Sequence, residues 1–164
     1  MSETDLRLHR CCFTGHRKHK LHGPEAEIRK DLENAILQAI KDGFTTFITG
    51  MATGVDIWAG ETVLDLKSRY PDLKLIAAVP YEGFEKSWDS GWQKRYHDLL
   101  DQADLVQYIC PHYASYAFQK RNEWMVNHSS RVIAVYSGDT GGTRNTINYA
   151  MKEAVPVEII KGRS

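Results

Sequence analysis

Apolar residues cluster in short runs along this chain, with amphipathic stretches between them. The runs lie at residues 10–14, 44–49, 73–79, 103–110, 131–136 and 155–160, and four of them end directly before a glycine or a proline. Runs of this length and composition predict β-strands. From Ile28 to Ile40, isoleucine or leucine recurs every four residues, which indicates one buried face of a helix. Further helices are predicted at 57–70, 85–102 and 118–129, and after the glycine pair near residue 142.

The order of these elements predicts an α/β protein. Parallel strands need crossover connections, and helices between successive strands supply them. The pattern therefore indicates a three-layer sandwich, in which a mostly parallel sheet of about six strands has helices on both faces. The strands are mostly apolar rather than alternating, as expected when both faces are covered. With 164 residues and no repeat or linker, we expect a single domain over residues 1–164.

Glycine-containing loops follow three of the predicted strands. They contain Gly15 after the first strand, residues 50–54 after the second and residues 138–142 after the fifth. In sheets of this kind, ligands bind outside the carboxyl ends of the strands. We therefore expect the three loops to meet at one rim.

The loop TGGTRNT, at residues 140–146, has the chemistry of an anion site. Glycines let the backbone approach a ligand, and the start of the next helix offers N–H groups with a positive dipole end. Arg144 adds a planar cation suited to phosphate. The same residues also suit a strand-to-helix turn capped by Thr143. The candidates in this loop are Gly141, Gly142, Thr143, Arg144, Asn145 and Thr146.

The loop GMATGVD contributes Gly50, Met51, Gly54 and Asp56. As a helix cap, Asp56 would only satisfy N–H groups, whereas at a ligand site it could accept from ribose hydroxyls. Glu61, further along the same predicted helix, is the second catalytic candidate, with an exposed helix face as its alternative position.

The residues after the first strand form a third candidate set, with Gly15, His16 and Arg17. His16, His19 and His22 lack acidic or cysteine partners nearby in sequence, so we expect no metal. Two further stretches contribute Pro80, Tyr81, Trp88, Arg121 and Asn122. Tyr81 and Trp88 could stack on a base or simply close the end of the sheet.

Composition narrows the functional classes. Lys and Arg total 21, as do Asp and Glu, so no global positive field favours nucleic acid. The three cysteines, Cys11, Cys12 and Cys110, are too few and oddly placed for a disulfide framework, which fits a reducing compartment. No signal peptide or membrane-spanning run of ~20 residues is evident, so we expect a cytoplasmic protein without membrane contact.

Five stretches, in order, resemble the YpsA family of the SLOG superfamily: CCFTGHR, FITGMATGVDIWAGE, AVPYEGFEKSW, QKRNEWMV and TGGTRNTINYA. That superfamily also holds the DprA/Smf proteins and the LOG-type phosphoribohydrolases. The resemblance implies a Rossmann-like fold, a pocket for a nucleotide or nucleotide-derived ligand, and a homodimer as the expected assembly. It places Gly50, Gly54 and Asp56 in the glycine-rich loop of the superfamily, and Gly141, Gly142 and Thr143 in its phosphate-binding turn.

One departure bears on activity. LOG-type hydrolases carry PGGxGTxxE, whose Glu serves catalysis; here no proline precedes the glycines and Asn148 takes the Glu position. Asn cannot act as a general acid or base. The first hypothesis is therefore a protein that binds or senses a ligand of the NAD, ADP-ribose or nucleoside-phosphate type. The alternatives are an N-glycosidic hydrolase using Asp56 or Glu61, and a DprA-like binder of single-stranded nucleic acid using Arg17, Lys18 and Lys20.

Overall fold

The computed structural model describes residues 2–16, 25–138 and 140–161. Strands and helices alternate along nearly the whole of this part of the chain. In chain order the elements are α1 (Glu3–Arg7), β1 (Arg10–Gly15), α2 (Glu25–Lys41), β2 (Thr46–Thr49), α3 (Val55–Leu66), β3 (Lys74–Tyr81), α4 (Ser90–Gln102), β4 (Leu105–Cys110), α5 (Ala117–Asn127), β5 (Arg131–Tyr136), α6 (Gly142–Lys152) and β6 (Val157–Lys161).

The six strands form one sheet in the order β4-β3-β2-β1-β5-β6, and every pairing between them is parallel. Helices α2 and α3 cover one face, while α5 and α6 cover the other. Successive residues of β1 point to opposite faces, so Cys11 and Phe13 join one buried core and Cys12 joins the other. The predicted three-layer α/β sandwich is confirmed.

The strand order reverses beside β1. From β1 the chain builds outward through β2, β3 and β4, and then returns to place β5 on the other side of β1. The connections from β1 and β5 therefore leave on opposite faces of the sheet. In open parallel sheets this switch point opens a crevice at the carboxyl ends of the two strands. Here those ends meet where Gly15 pairs with Val135.

Among the predicted boundaries that differ from the structure, two have a clear physical reason. Pro80 does not stop β3, which continues to Tyr81. Beyond Ala77, β3 pairs only with β4, so the missing N–H of proline can face the unpaired side. Helix α4 begins at Ser90 rather than 85, because Asp89 caps it by accepting from the N–H of Trp92 at 3.0 Å. The short helix α1, with its capping box at Ser2, was not predicted.

The environment of the cysteines and the length of the helices bear on the functional classes. Cys11, Cys12 and Cys110 are buried, and burial raises the pKa of Cys12 to about 12, which leaves it a protonated packing residue. Across residues 2–16, 25–138 and 140–161, no helix is both long and apolar enough to span a membrane.

Candidate functional site

A cavity of about 330 Å³ opens at the switch point of the sheet. Its wall comes from the end of β1, the loop after β2, one face of α5 and the start of α6. The lining residues are Thr14, Gly15, His16, Ala52, Asp56, Phe118, Arg121, Asn122, Met125, Gly142 and Thr143. The three glycine-containing loops thus meet at one rim, as the sequence predicts.

Gly15 lets β1 end directly against the start of α3. A Cβ atom on Gly15 would lie only 2.5 Å from the side chain of Val55. Any larger residue would push the strand end away from the helix. This close approach brings the start of α3, and with it Asp56, to the cavity.

Two helices begin at the cavity without a side-chain cap. Gly54 precedes α3 and Gly141 precedes α6, with φ angles of +89° and +131° that favour glycine. Thr143 lies inside α6 and is not its cap, so the capped-turn interpretation of TGGTRNT is wrong. The first N–H groups of α6, and the positive end of its dipole, therefore face the cavity beside Gly142.

Asp56 and Arg121 are buried together beside Gly50. Each residue is 6% exposed. A Cβ on Gly50 would lie 2.9 Å from both Nη1 of Arg121 and Oδ2 of Asp56. Asp56 accepts from the N–H of Ala52 at 3.3 Å, and Arg121 donates from Nη1 to the carbonyl of Gly50. Glycine at position 50 thus makes room for both charged groups.

His16 joins the cavity to the loop after β5. Its Nε2 accepts a hydrogen bond from the N–H of Ser137 at 3.3 Å, so that nitrogen carries no proton. The ring stacks on Tyr136, with the centroids 5.6 Å apart. The imidazole therefore holds this loop beside the end of β1.

Several sequence candidates do not line the cavity. Tyr81 and Trp88 pack edge-on against Phe84 in an aromatic cluster at the end of β3, where Pro80 is also buried. Arg144 and Asn145 are exposed on α6. Met51 and Thr146 are buried beneath the loops, and Thr146 donates to the carbonyl of Gly142 at 2.8 Å. Arg17, His19 and His22 lie outside the described residues.

Glu61 faces a different part of the molecule. Arg29 and Arg95 each donate to Oε1 of Glu61 at 2.6 Å, and Arg95 also donates to Oε2 at 3.0 Å. Burial raises the pKa of this carboxyl, but the hydrogen bonds from Arg95 and Arg29 outweigh burial and bring the pKa below its usual value. Glu61 is thus an ionised member of an ion network and not part of the cavity wall.

Four lining residues were not among the predicted candidates: Thr14, Ala52, Phe118 and Met125. Phe118, Asn122 and Met125 recur at the spacing of one helical face on α5. That spacing is a signal in the sequence, but it is equally typical of a helix that packs on a sheet.

These features together define a doubly wound α/β protein with one polar cavity at its switch point. The family model described as the YspA SLOG family matches residues 11–161, and the chain belongs to this YpsA family.

Two relatives match this sequence over most of the chain. The UPF0398 protein BH1768 of Halalkalibacterium halodurans is 31% identical over 139 residues, covering 80% of this chain and 74% of its own. The uncharacterized SPbeta prophage-derived protein YoqJ of Bacillus subtilis is 34% identical over 137 residues, covering 75% of this chain and 80% of its own.

Two solved structures of DNA processing protein A have the same fold. The Streptococcus pneumoniae protein aligns with a TM-score of 0.67 and 18% identity over 96% of this chain, which spans only 52% of that protein. The Helicobacter pylori protein, whose structure concerns a single-stranded DNA binding mode, aligns with a TM-score of 0.68 and 21% identity. That alignment covers 98% of this chain and 68% of the other.

Proposed function

We propose that this protein binds a nucleotide or nucleotide-derived ligand, of the NAD, ADP-ribose or nucleoside-phosphate type, in the switch-point cavity. The observation that carries the proposal is the meeting of three glycine-containing loops and two uncapped helix starts around one polar cavity. Backbone N–H groups at a helix start bind phosphate well, because they add hydrogen bonds to a positive dipole end.

The ligand's phosphate would lie at the start of α6. Gly142 and Thr143 line the cavity there, and Gly141 at the N-cap position has no side chain to cap the helix. Arg144 has a smaller part in this arrangement than the sequence indicates, because its side chain is exposed and is not in the wall. The phosphate would therefore be held mainly by neutral donors.

The sugar and base would follow along the wall of the cavity. Asp56 offers a buried carboxylate that can accept from ribose hydroxyls. Phe118 replaces Tyr81 and Trp88 as the aromatic that meets a base, because its ring reaches the cavity wall while Tyr81 packs behind it at 5.9 Å between centroids. Stacking of a base on an aromatic ring typically stabilises binding by about 1–3 kcal/mol.

A thermal-shift and calorimetry panel tests the proposal. The ligands are NAD, ADP-ribose, AMP, ADP, ATP and adenosine. At 100 times its dissociation constant, a true ligand adds about 2.7 kcal/mol of stability, or roughly 5–10 °C for a domain of this size. Failure of every member to bind at millimolar concentration would refute the proposal.

A pair of threonine variants locates the ligand. Thr143→Val removes a buried hydroxyl in the cavity wall and should weaken binding of phosphate-bearing ligands. Thr62→Val is the matched control, because Thr62 is also buried and helical but donates to the carbonyl of Trp58 away from the cavity. Equal binding by both variants would show that the phosphate does not bind at the start of α6.

A second candidate function is hydrolysis of the ligand's N-glycosidic bond. The observation that favours it is the buried carboxylate of Asp56 in the cavity, where it could direct a water molecule at the sugar carbon. Glu61 is unsuited to this part, since Arg29 and Arg95 already bind it. Incubation of the bound ligand should then release free base, and an Asp56→Asn variant as active as the parent would exclude this role.

Single-stranded nucleic-acid binding has less support. Arg121 is the only Lys or Arg among the described residues of the cavity wall, and the net charge is zero. Likeness to the DprA structures at about 20% identity extends to the fold alone. Binding of a single strand that weakens steeply with salt would favour this function over a small ligand.

A further inference from the structure

Arg121 joins the cavity loops from inside the wall. Its Nη1 donates to the carbonyl of Gly50, and its Nε donates to Oδ1 of Asn122 at 2.8 Å. Arg121 is only 6% exposed, so these bonds form largely away from bulk water, where charge-assisted hydrogen bonds are strong. The loop after β2 and the side chain of Asn122 are therefore held in a fixed relation by one residue.

The bond from Arg121 also fixes which way the Asn122 amide is turned. A guanidinium has only donors, so the atom that it meets must be the carbonyl oxygen of the amide. The NH₂ group of Asn122 must then point the other way. A Cβ atom on Gly142 would lie 3.8 Å from this Nδ2 atom, so the NH₂ group is directed at the start of α6.

The NH₂ group of Asn122 lies in the cavity wall and donates no hydrogen bond within the described chain. The residue is only 7% exposed, yet within residues 2–16, 25–138 and 140–161 its one hydrogen bond is the one that it accepts from Arg121. Asn122 also lines the cavity. A donor so placed is available to water or to a ligand in the cavity.

We infer that Asn122 donates a hydrogen bond to a phosphoryl oxygen of the ligand bound at the start of α6. Arg121 is the positioning residue that turns the amide so that its donor, and not its acceptor, faces that oxygen. The inference rests on the proposed function and adds to it a residue that selects for a phosphoryl group. Recognition then uses an amide and backbone N–H groups, while the cation of Arg121 is engaged inside the wall.

The first test uses inorganic pyrophosphate and the side-chain amide signals of the ¹⁵N-labelled protein. Addition of millimolar pyrophosphate should shift the NH₂ resonances of Asn122, assigned by their loss in Asn122→Ala. The side-chain amide of Asn127, exposed at the far end of α5, should stay in place. An unmoved Asn122 signal would overturn the inference. This test does not depend on which nucleotide, if any, the protein binds.

The second test replaces the donor with an acceptor. Asn122→Asp should weaken binding of AMP about tenfold or more, because a carboxylate repels the phosphoryl oxygen that the amide bound. Binding of adenosine, which has no phosphate, should stay the same. Asn127→Asp makes the same change on the same helix away from the cavity and should bind AMP like the parent.

The outcomes separate this inference from the proposed function. If the parent binds pyrophosphate through Asn122 but no nucleotide, the proposed function fails and the inference holds. If the parent binds AMP and Asn122→Asp binds it equally well, the inference fails and the proposed function holds. Equal loss of AMP and adenosine would also overturn the inference, since Asn122 would then serve another part of the ligand.

A double-mutant cycle tests the role of Arg121. Arg121→Met removes the donors and keeps much of the apolar length, so it should weaken AMP binding in the parent. The same change should have little further effect when Asn122 is already alanine, because the amide that Arg121 orients is gone. Independent losses of affinity from the two changes would show that Arg121 does not act through Asn122.

Discussion

Two carboxylates of helix α3, Asp56 and Glu61, have opposite surroundings. Asp56 lies in the first turn, in the wall of the switch-point cavity, and accepts from the backbone N–H of Ala52. Glu61 lies five residues later, held by Arg29 from α2 and Arg95 from α4. At 3.6 residues per turn, five positions turn the side chain by about 140°, so the two cannot face the same cavity.

The difference separates a ligand site from a structural one. The ion network has its charges matched within the protein: Arg95 binds both oxygens of Glu61 and also contacts Glu25 at 3.1 Å. The cavity also holds opposite charges, in Asp56 and Arg121, but it adds two helix starts at glycines and the cavity-facing amide donor of Asn122. We therefore expect changes in the cavity to alter ligand binding, and changes in the network to alter stability.

The largest effect is expected where both regions depend on one contact, between β1 and the start of α3. Gly15→Ala would place a methyl group 2.5 Å from the side chain of Val55. Overpacking of this kind typically costs about 1–3 kcal/mol of unfolding free energy, and it would also widen the cavity and weaken binding. Urea unfolding and calorimetry with AMP measure the two losses.

Gly91→Ala is the control for that substitution. Gly91 lies in the first turn of α4, where a Cβ would be 3.4 Å from the nearest atom, an ordinary contact. Because alanine favours helix over glycine by up to about 1 kcal/mol, this variant should be as stable as the parent or slightly more stable. If Gly15→Ala behaves like Gly91→Ala, the strand end and the helix are not in close contact.

Asp56→Asn should weaken ligand binding about ten- to hundredfold, and it should also lower the unfolding free energy, because the buried guanidinium of Arg121 beside it loses a neighbouring negative charge. The amide keeps a carbonyl for the N–H of Ala52 but loses the charge that strengthens hydrogen bonds from ribose hydroxyls. Glu61→Gln should bind the same ligand like the parent. Isothermal titration with the best ligand of the panel compares them, and equal losses in both variants would contradict the division between the two regions.

Much of the fold follows from the sequence because the central strands are largely apolar runs. Both faces of the sheet are covered there, so β1, β3 and β5 are buried over most of their length. Boundaries fail where tertiary context decides them. Pro80 would end β3 only if a neighbouring strand had to accept a hydrogen bond from the backbone N–H that proline lacks. Whether β2 extends that far depends on the tertiary structure and cannot be read from the local sequence.

The candidate site is predictable to the level of its loops but not of its side chains. The glycines at 15, 50–54 and 141–142 locate the rim because parallel topology puts all strand ends on one side. Which side chains then enter the cavity depends on helix rotation. That rotation brings Phe118 and Asn122 into the wall and leaves Arg144 in solvent, and rotation is set by packing over the whole helix.

Glu61→Gln should lower the unfolding free energy by about 1 kcal/mol. Glutamine keeps the shape of the side chain, but it leaves the two guanidinium groups of Arg29 and Arg95 without their shared anion. The network is partly exposed, so the cost is far smaller than for a fully buried pair. Asp65→Asn on the same helix is the control, since Asp65 is mostly exposed and 3.8 Å from Arg29. Equal stability of Glu61→Gln and the parent would show that the network does not stabilise the fold.

The smallest expected effect is the pH dependence of the difference in unfolding free energy between the parent and Glu61→Gln. The hydrogen bonds from Arg95 and Arg29 outweigh burial and lower the pKa of Glu61 from its reference value of 4.5 in the folded state. A lowered folded-state pKa means that the contribution is fully present above the unfolded-state pKa and is lost as the pH falls through the folded-state value. The gap in unfolding free energy between the parent and Glu61→Gln should thus be constant near neutral pH and narrow below about pH 4.5.

Urea unfolding of both proteins from pH 7 to about pH 3 measures the gap. A gap that widens as the pH falls would mean that Glu61 is stabilised as the neutral acid, and a gap unchanged to about pH 3 would mean that its charge contributes nothing.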